Sequence, residues 1–125
     1  MSSRNPFKLT TDSNGYPQCE IYYSSAWHTI ASASSALTTS SWTHLLCTYD
    51  GTNGKLYING TLADYKAETN SITSSSSTAL SVARDSAGSG YFDGQADGVK
   101  VWGYGLTTDQ VKTEHNAGST VYFGE

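Results

Sequence analysis

Trp42-Thr43-His44-Leu45-Leu46-Cys47-Thr48-Tyr49-Asp50-Gly51, followed three residues later by Lys55-Leu56-Tyr57-Ile58-Asn59-Gly60, reads as two strands and two reversals. Leu45, Cys47 and Tyr49 alternate with His44, Leu46 and Thr48, a period of two that sends the two sets to opposite faces of a strand. Leu56 and Ile58 alternate in the same way with Lys55, Tyr57 and Asn59. Asp50-Gly51 and Asn53-Gly54 mark the first reversal. Asn59-Gly60 marks the second, because a type I′ hairpin turn needs positive φ at both central residues and Asn-Gly tolerates it. Residues 61–65 then run back. The stretch 42–65 is therefore predicted to be a three-stranded antiparallel meander.

The same punctuation continues outward. Phe7–Thr11 reads as a strand and Asp12-Ser13-Asn14-Gly15 as a turn. Residues 19–24 form a strand with Cys19, Ile21 and Tyr23 on one face, and residues 27–33 return antiparallel to it. A Ser- and Ala-rich loop leads to Ser41. Downstream, the Ser/Thr-rich stretch 69–78 is read as loop and strand edge. Residues 79–84 are read as a strand with Leu80 and Val82 inward, and 85–90 as a Gly/Ser turn. Residues 91–102 form a long strand pattern, with Val99 and Val101 pointing one way and Lys100 and Trp102 the other. Trp42, Tyr49, Tyr57 and Trp102 are expected in the core or between sheets.

One helix is signposted, over 108–116. Thr107 and Gln110 stand at capping-box spacing, Leu106 can pack on Val111 as a hydrophobic staple, and Gly118 follows as a C-cap. So short a helix must dock on the rest of the chain. Many short strands, one terminal helix and no βαβ alternation define an all-β sandwich.

With 125 residues the chain is read as one domain over 1–125, long enough to bury a core without staples. Its formal charge of −4 and 14% charged residues supply no basic field for phosphates, which argues against nucleic acid as a partner. No apolar run approaches a membrane span, and residues 1–7 hold no signal-peptide core. Two readings stand open for Cys19 and Cys47: a disulfide across neighbouring strands in an exported protein, or two small buried hydrophobes.

The quoted stretch resembles the W-x-H-V-A-x-T-Y-D-G … L-Y-V-N-G core of laminin-G-like jelly rolls in the concanavalin A-like lectin/glucanase superfamily. Tyr91-Phe92-Asp93-Gly94-Gln95-Ala96-Asp97-Gly98-Val99-Lys100-Val101-Trp102, running into Leu106-Thr107, resembles their closing strand and helix. Ala96 and Gly98 depart from it, standing where the family has a branched apolar residue and an acidic one. The resemblance implies a two-sheet antiparallel jelly-roll sandwich with one short C-terminal helix. It also implies strands ahead of Phe7 that this sequence lacks. A sandwich without them would leave unpaired strand edges. A larger parent protein, a smaller closed arrangement, or β-augmentation by another chain would complete it.

No catalytic constellation is visible. Glycosidases of this fold use closely spaced carboxylates, and Glu20, Glu68, Glu114 and Glu125 form no such motif. Nucleophile elbows, zinc-protease motifs and phosphate loops are absent from the sequence, and His28, His44 and His115 are scattered. Relatives of this fold hold Ca²⁺ at a rim, so the resemblance implies Asp93 and Asp97, flanking Gly94, as its ligands, with Asp50 and Asp85 behind them. The simpler role for Asp93 and Asp97 is to hydrogen-bond backbone in their loop, and for Asp50 to form a turn. Sugar binding needs an exposed ring with polar neighbours, for which Trp27, Tyr22, Tyr23 and Tyr91 are the candidates. Asn59-Gly60-Thr61 is a formal glycosylation sequon that the hairpin turn already explains.

The expectation is a non-catalytic recognition or adhesion module that binds carbohydrate or protein at a cell, virion or filament surface. A second reading is a structural subunit whose open edges are completed by copies of itself or by a parent protein. A third, a glycoside-active enzyme, has no carboxylate pair behind it.

Overall fold

The computed structural model describes residues 6–73, 82 and 94–119. Six strands and one helix follow in order: β1 (Phe7–Thr11), β2 (Pro17–Tyr23), β3 (Ala26–Ser32), β4 (Leu45–Tyr49), β5 (Asn53–Ile58), β6 (Thr61–Ala67) and α1 (Thr108–Ser119). They form two three-stranded sheets, ordered β1-β2-β3 and β4-β5-β6, with every pairing antiparallel. The expected meander is present. Asn59 and Gly60 take φ of 52° and 79°, the left-handed pair a type I′ turn requires.

The register determines what each face buries. Cys19 and Ile21 of β2 and Ile30 of β3 meet Leu56 of β5, with Cys47, Tyr49 and Ile58 packed around them. This is the core between the sheets. The other face of the second sheet is buried as well: Leu46 and Tyr57 pack with Leu106, Val111 and Trp102, under helix α1 and the segment leading to it. Tyr57 and Leu56 are thus both fully buried on opposite faces of one strand. Each such side chain contributes about 1.5–3 kcal/mol by leaving water.

Two devices hold the sheets together. A disulfide joins Cys19 to Cys47 with a Cα–Cα separation of 5.9 Å. It links β2 to β4, across the sandwich and not between neighbouring strands. Closing a loop of this sequence separation, 28 residues, restricts the unfolded chain by about 3–4 kcal/mol. At Gly54 the backbone of β5 comes so close to β3 that an added Cβ would lie 2.6 Å from Ile30 Cβ. Only glycine permits that approach.

Four expectations need correction. Residues 94–102 hold no strand, and Val99 and Val101 are 57% and 58% exposed. Their alternation has no partner among the described residues, and strand preference is largely packing against neighbours. Trp42 is 67% exposed, because β4 begins only at Leu45. Leu45 pairs with Ile58, the last residue of β5, so nothing in the sheet lies across from Trp42. Val82 is exposed where an inward position was expected; the rest of the predicted strand at 79–84 lies outside the described residues. Helix α1 runs on to Ser119, so Gly118 sits within it. The capping box is formed: Thr107 N–H donates to Gln110 Oε1 at 2.8 Å and Gln110 N–H to Thr107 Oγ1 at 3.2 Å. Leu106 and Val111 meet in the same cluster, as a staple should.

Gly54→Ala is expected to destabilise the domain by about 1–3 kcal/mol, the usual cost of overpacking a core. Ile30→Val should not rescue this loss, because valine keeps the Cβ and Cγ1 atoms that a Cβ on residue 54 would meet. Urea midpoints of the wild type and Gly54→Ala check the constraint; an unchanged midpoint would show that the close approach is not limiting.

Candidate functional site

Antiparallel register builds an aromatic and polar patch on the outer face of the first sheet. Pro17, Cys19 and Ile21 alternate inward along β2, which leaves Gln18, Glu20 and Tyr22 outward. Lys8 lies across from Glu20, Glu20 across from Thr29, and Tyr22 across from Trp27. The Tyr22 and Trp27 rings meet edge to face, 5.3 Å apart at 68°. Lys8 Nζ sits 4.1 Å from the Trp27 ring centroid, a cation–π contact. Glu20 Oε2 accepts a hydrogen bond from Gln18 Nε2 at 3.1 Å. Indole, phenol, carboxylate, amide and ammonium therefore share one face, each half-buried.

The turn that closes this face is unusual. Ser24 and Ser25 connect β2 to β3 with φ of 48° and 63°, and both are exposed. Non-glycine residues in this region carry roughly 1–2 kcal/mol of strain apiece. The tight reversal brings Trp27 opposite Tyr22.

Of the four expected sugar-binding residues, Tyr22 and Trp27 are brought together. Tyr23 is not: it faces the opposite way and packs against the inter-sheet core. Its ring stacks on His28 at 3.7 Å and 9°, and its hydroxyl donates to Glu68 Oε2 at 2.9 Å. The physical reason is the strand period, which cannot place adjacent residues on one face. Tyr91 lies outside the described residues. Lys8, Glu20, Gln18 and Thr29 were missed as site residues, although the alternation along 17–23 already carried Glu20 and Gln18 to the side of Tyr22.

Tyr23 belongs instead to a network that ties the end of β6 to both sheets. Glu68 is buried, at 8% exposure. Its carboxylate accepts the Asn70 N–H at 3.0 Å, the Asn70 side-chain amide at 2.6 Å and the Tyr23 hydroxyl. Its own N–H donates to Thr52 O at 2.9 Å. The Tyr49 hydroxyl reaches Glu68 O at 3.3 Å and also bonds Asn70 O. The backbone N–H and side-chain amide of Asn70, then the Tyr23 hydroxyl, hold the Glu68 carboxyl down at about 2. The Tyr23 phenol is pushed up, first by that hydrogen bond to Glu68 and then by burial. Asp50 is held below the usual carboxylate range by the N–H groups of Asn53 and Thr52, which its Oδ1 accepts at 2.7 and 2.8 Å. It forms the β4–β5 turn, the role expected of it.

Among the described residues no group of three or more His, Cys, Asp or Glu could hold a metal ion. Asp97 is exposed, in a stretch whose neighbours from 94 to 100 are all exposed, and Asp93 lies outside the described residues. The expected pair Asp93 and Asp97 therefore lies only in part within the described residues. The described glutamates are dispersed. Glu20 is on the outer face of the first sheet, Glu68 sits at the end of β6 between the sheets, and Glu114 on α1 is ion-paired with Lys100 at 2.9 Å. No helix among the described residues is long and apolar enough to cross a membrane.

A two-sheet antiparallel sandwich, cross-linked between its layers and flanked by a capped helix, defines a β-sandwich domain of the concanavalin A-like type. The family model of the concanavalin A-like lectin/glucanases superfamily, laminin-G class, matches residues 1–112, and the chain belongs to that superfamily. Among solved structures it is similar to an S-layer domain-containing protein (residues 221–444) from Clostridium thermocellum. The two share 25% identity and a TM-score of 0.46, and the match covers 91% of this chain and 58% of that one. No curated protein matches the chain.

The network around Glu68 predicts an acid-dependent loss of stability. With the folded carboxyl at about 2 and an ordinary value of 4.5, the unfolded chain binds more protons between these two pH values. The contribution of the ionised group is complete above pH 4.5 and disappears as the pH falls towards 2. Urea midpoints of the wild type and Glu68→Gln should differ by a constant amount above about pH 5.5, and the difference should shrink between 4.5 and 2. A difference that stays constant down to pH 2 would remove the assigned role.

Proposed function

We propose that this domain is a non-catalytic recognition module that binds a hydroxyl-rich glycan across the outer face of its first sheet. The observation that carries this reading is the pairing of Trp27 with Tyr22 beside Lys8, Glu20 and Gln18. An apolar ring face stacks on the C–H side of a sugar, and placed polar groups then select its hydroxyls. A sugar ring that displaces the Lys8 ammonium from the indole leaves that ammonium at the edge, where it can donate to a hydroxyl. Glu20 supplies an acceptor and Gln18 an amide. The superfamily supports a binding role, and the dispersed glutamates support the non-catalytic part. Recognition of this kind, together with the Cys19–Cys47 disulfide, suits a surface or extracellular setting.

A glycan array probed with and without EDTA tests this. Binding should be insensitive to EDTA. Trp27→Ala should weaken it about tenfold, or 1.4 kcal/mol, and Trp42→Ala, on an exposed residue elsewhere, should leave it unchanged. Absence of glycan binding, or equal binding by Trp27→Ala, ends the proposal, and turnover of a polysaccharide ends its non-catalytic part.

One observation favours a second reading, self-assembly through the edge of the first sheet. Phe7 and Leu9 pair with Ile21 and Cys19, so they sit on the inward face of β1, yet they are 41% and 45% exposed. An edge strand with uncovered apolar side chains is a template for strand addition. Light scattering after size exclusion should then give a mass above the 13.4 kDa of one chain, and Leu9→Lys should return it to monomer. A wild type that is monomeric at every concentration would count against this reading.

A further inference from the structure

Helix α1 is fastened to the outer face of the second sheet at two places. Near its start, Val111 is fully buried with Leu46 and Tyr57, and the Tyr57 hydroxyl lies 3.3 Å from Thr108 Oγ1. Further along, the His115 ring presses on the β5–β6 turn, where a Cβ on Gly60 would come within 3.2 Å of His115 Nδ1. The His44 ring stands beside it, with centroids 5.4 Å apart and planes tilted by 58°. The backbone on both sides of His44 is held in place: its N–H donates to Asn59 Oδ1 at 2.9 Å, and its carbonyl accepts the Asn59 N–H at 2.8 Å. Its Nδ1 is buried and has no hydrogen-bond partner.

We propose that His44 is a pH latch for helix α1: when its imidazole takes up a proton, the helix leaves the second sheet while the two stapled sheets stay together. A protonated imidazole has two N–H donors. One of them would be the buried Nδ1, with no acceptor, beside a second imidazole that can itself become charged. An unsatisfied buried donor is unfavourable, and more so on a charged ring. Undocking the helix lets water reach that atom; moving β4 does not, because His44 is bonded to the hairpin by its backbone.

The surrounding charges do not remove the penalty. On α1, His115 opposes a charge on His44 and Glu114 favours it. Glu114 is already held by Lys100, which reaches His44 from the segment before the helix and also opposes its charge. From the hairpin the facing residue is Asn59, which does not ionise. Burial first, and then the His115 charge, keep the His44 imidazole below its ordinary value of 6.5. The neutral ring is therefore the docked form. Stability of docking is complete above pH 6.5 and declines below it, by at most about tenfold per pH unit for one proton.

Amide hydrogen exchange at pH 7.5, 6.5 and 5.5, corrected for the intrinsic pH dependence of the chemistry, tests the latch. The opening constant for amides 111–116 should rise several-fold, towards tenfold, between pH 6.5 and 5.5. Amides of β2 and β5 should not change, which separates this event from opening of the sandwich itself. In His44→Gln the helix opening should become nearly independent of pH. Three results would each overturn the proposal: no pH dependence of helix opening in the wild type, parallel opening of β2 and β5, or an undiminished slope in His44→Gln. If that variant does not fold, the NMR titration of the His44 ring in the wild type decides, since its midpoint must coincide with helix opening. Glycan binding is not the readout, so failure here and failure of the recognition reading are distinguishable.

Discussion

Ile30 fills the space that any side chain on residue 54 would need, and the rest of the domain is arranged around that contact. Two stacked sheets ordinarily lie about 10 Å apart. Where β3 crosses β5, residue 54 is a glycine and the Ile30 side chain lies directly against its backbone. The bulge between Cys19 and Glu20 places Ile30 and Ala31 as consecutive buried residues on β3. The Cys19–Cys47 bond then fixes β2 to β4 a short distance away. A side-chain contact at one point and a covalent link at another restrain both sliding and rotation of the layers.

The second sheet is the structural centre, because its strand β5 is covered on both faces, by Leu56 on one side and Tyr57 on the other. Its inner face meets the first sheet and its outer face meets α1. The two layers are also joined by polar contacts where β3 and β6 meet: Ser32 N–H donates to Asp64 Oδ2 at 2.8 Å. Together with the Glu68 network, these bonds satisfy polar groups that a thin sandwich would otherwise leave unpaired. The first sheet has one face free of such duties, and Trp27 and Tyr22 are found there.

Strain is concentrated beside that free face. Ser24 and Ser25 both adopt left-handed backbone where Asn-Gly would do so at lower cost. The β5–β6 turn uses the favourable pair, so one chain contains both solutions to the same geometric problem. Strained backbone tends to persist where it serves a site, and here it presents Trp27 across from Tyr22.

The strand pattern over 42–65, the helix cap at Thr107 and Gln110, and the Asn59-Gly60 turn were legible in the sequence because each is a local signal. Period-two alternation, side-chain-to-backbone capping and positive φ are properties of a few consecutive residues. The alternation showed that Leu46 and Tyr57 share a face, but not that the helix covers it. Val99 and Val101 alternate as well as any strand residue and yet are exposed, because a strand is made by its partner and no local rule supplies one. The cross-sheet disulfide, the Ile30–Gly54 approach and the meeting of Lys8 with Trp27 join residues that are distant in sequence. They exist only once register and layer packing have been chosen.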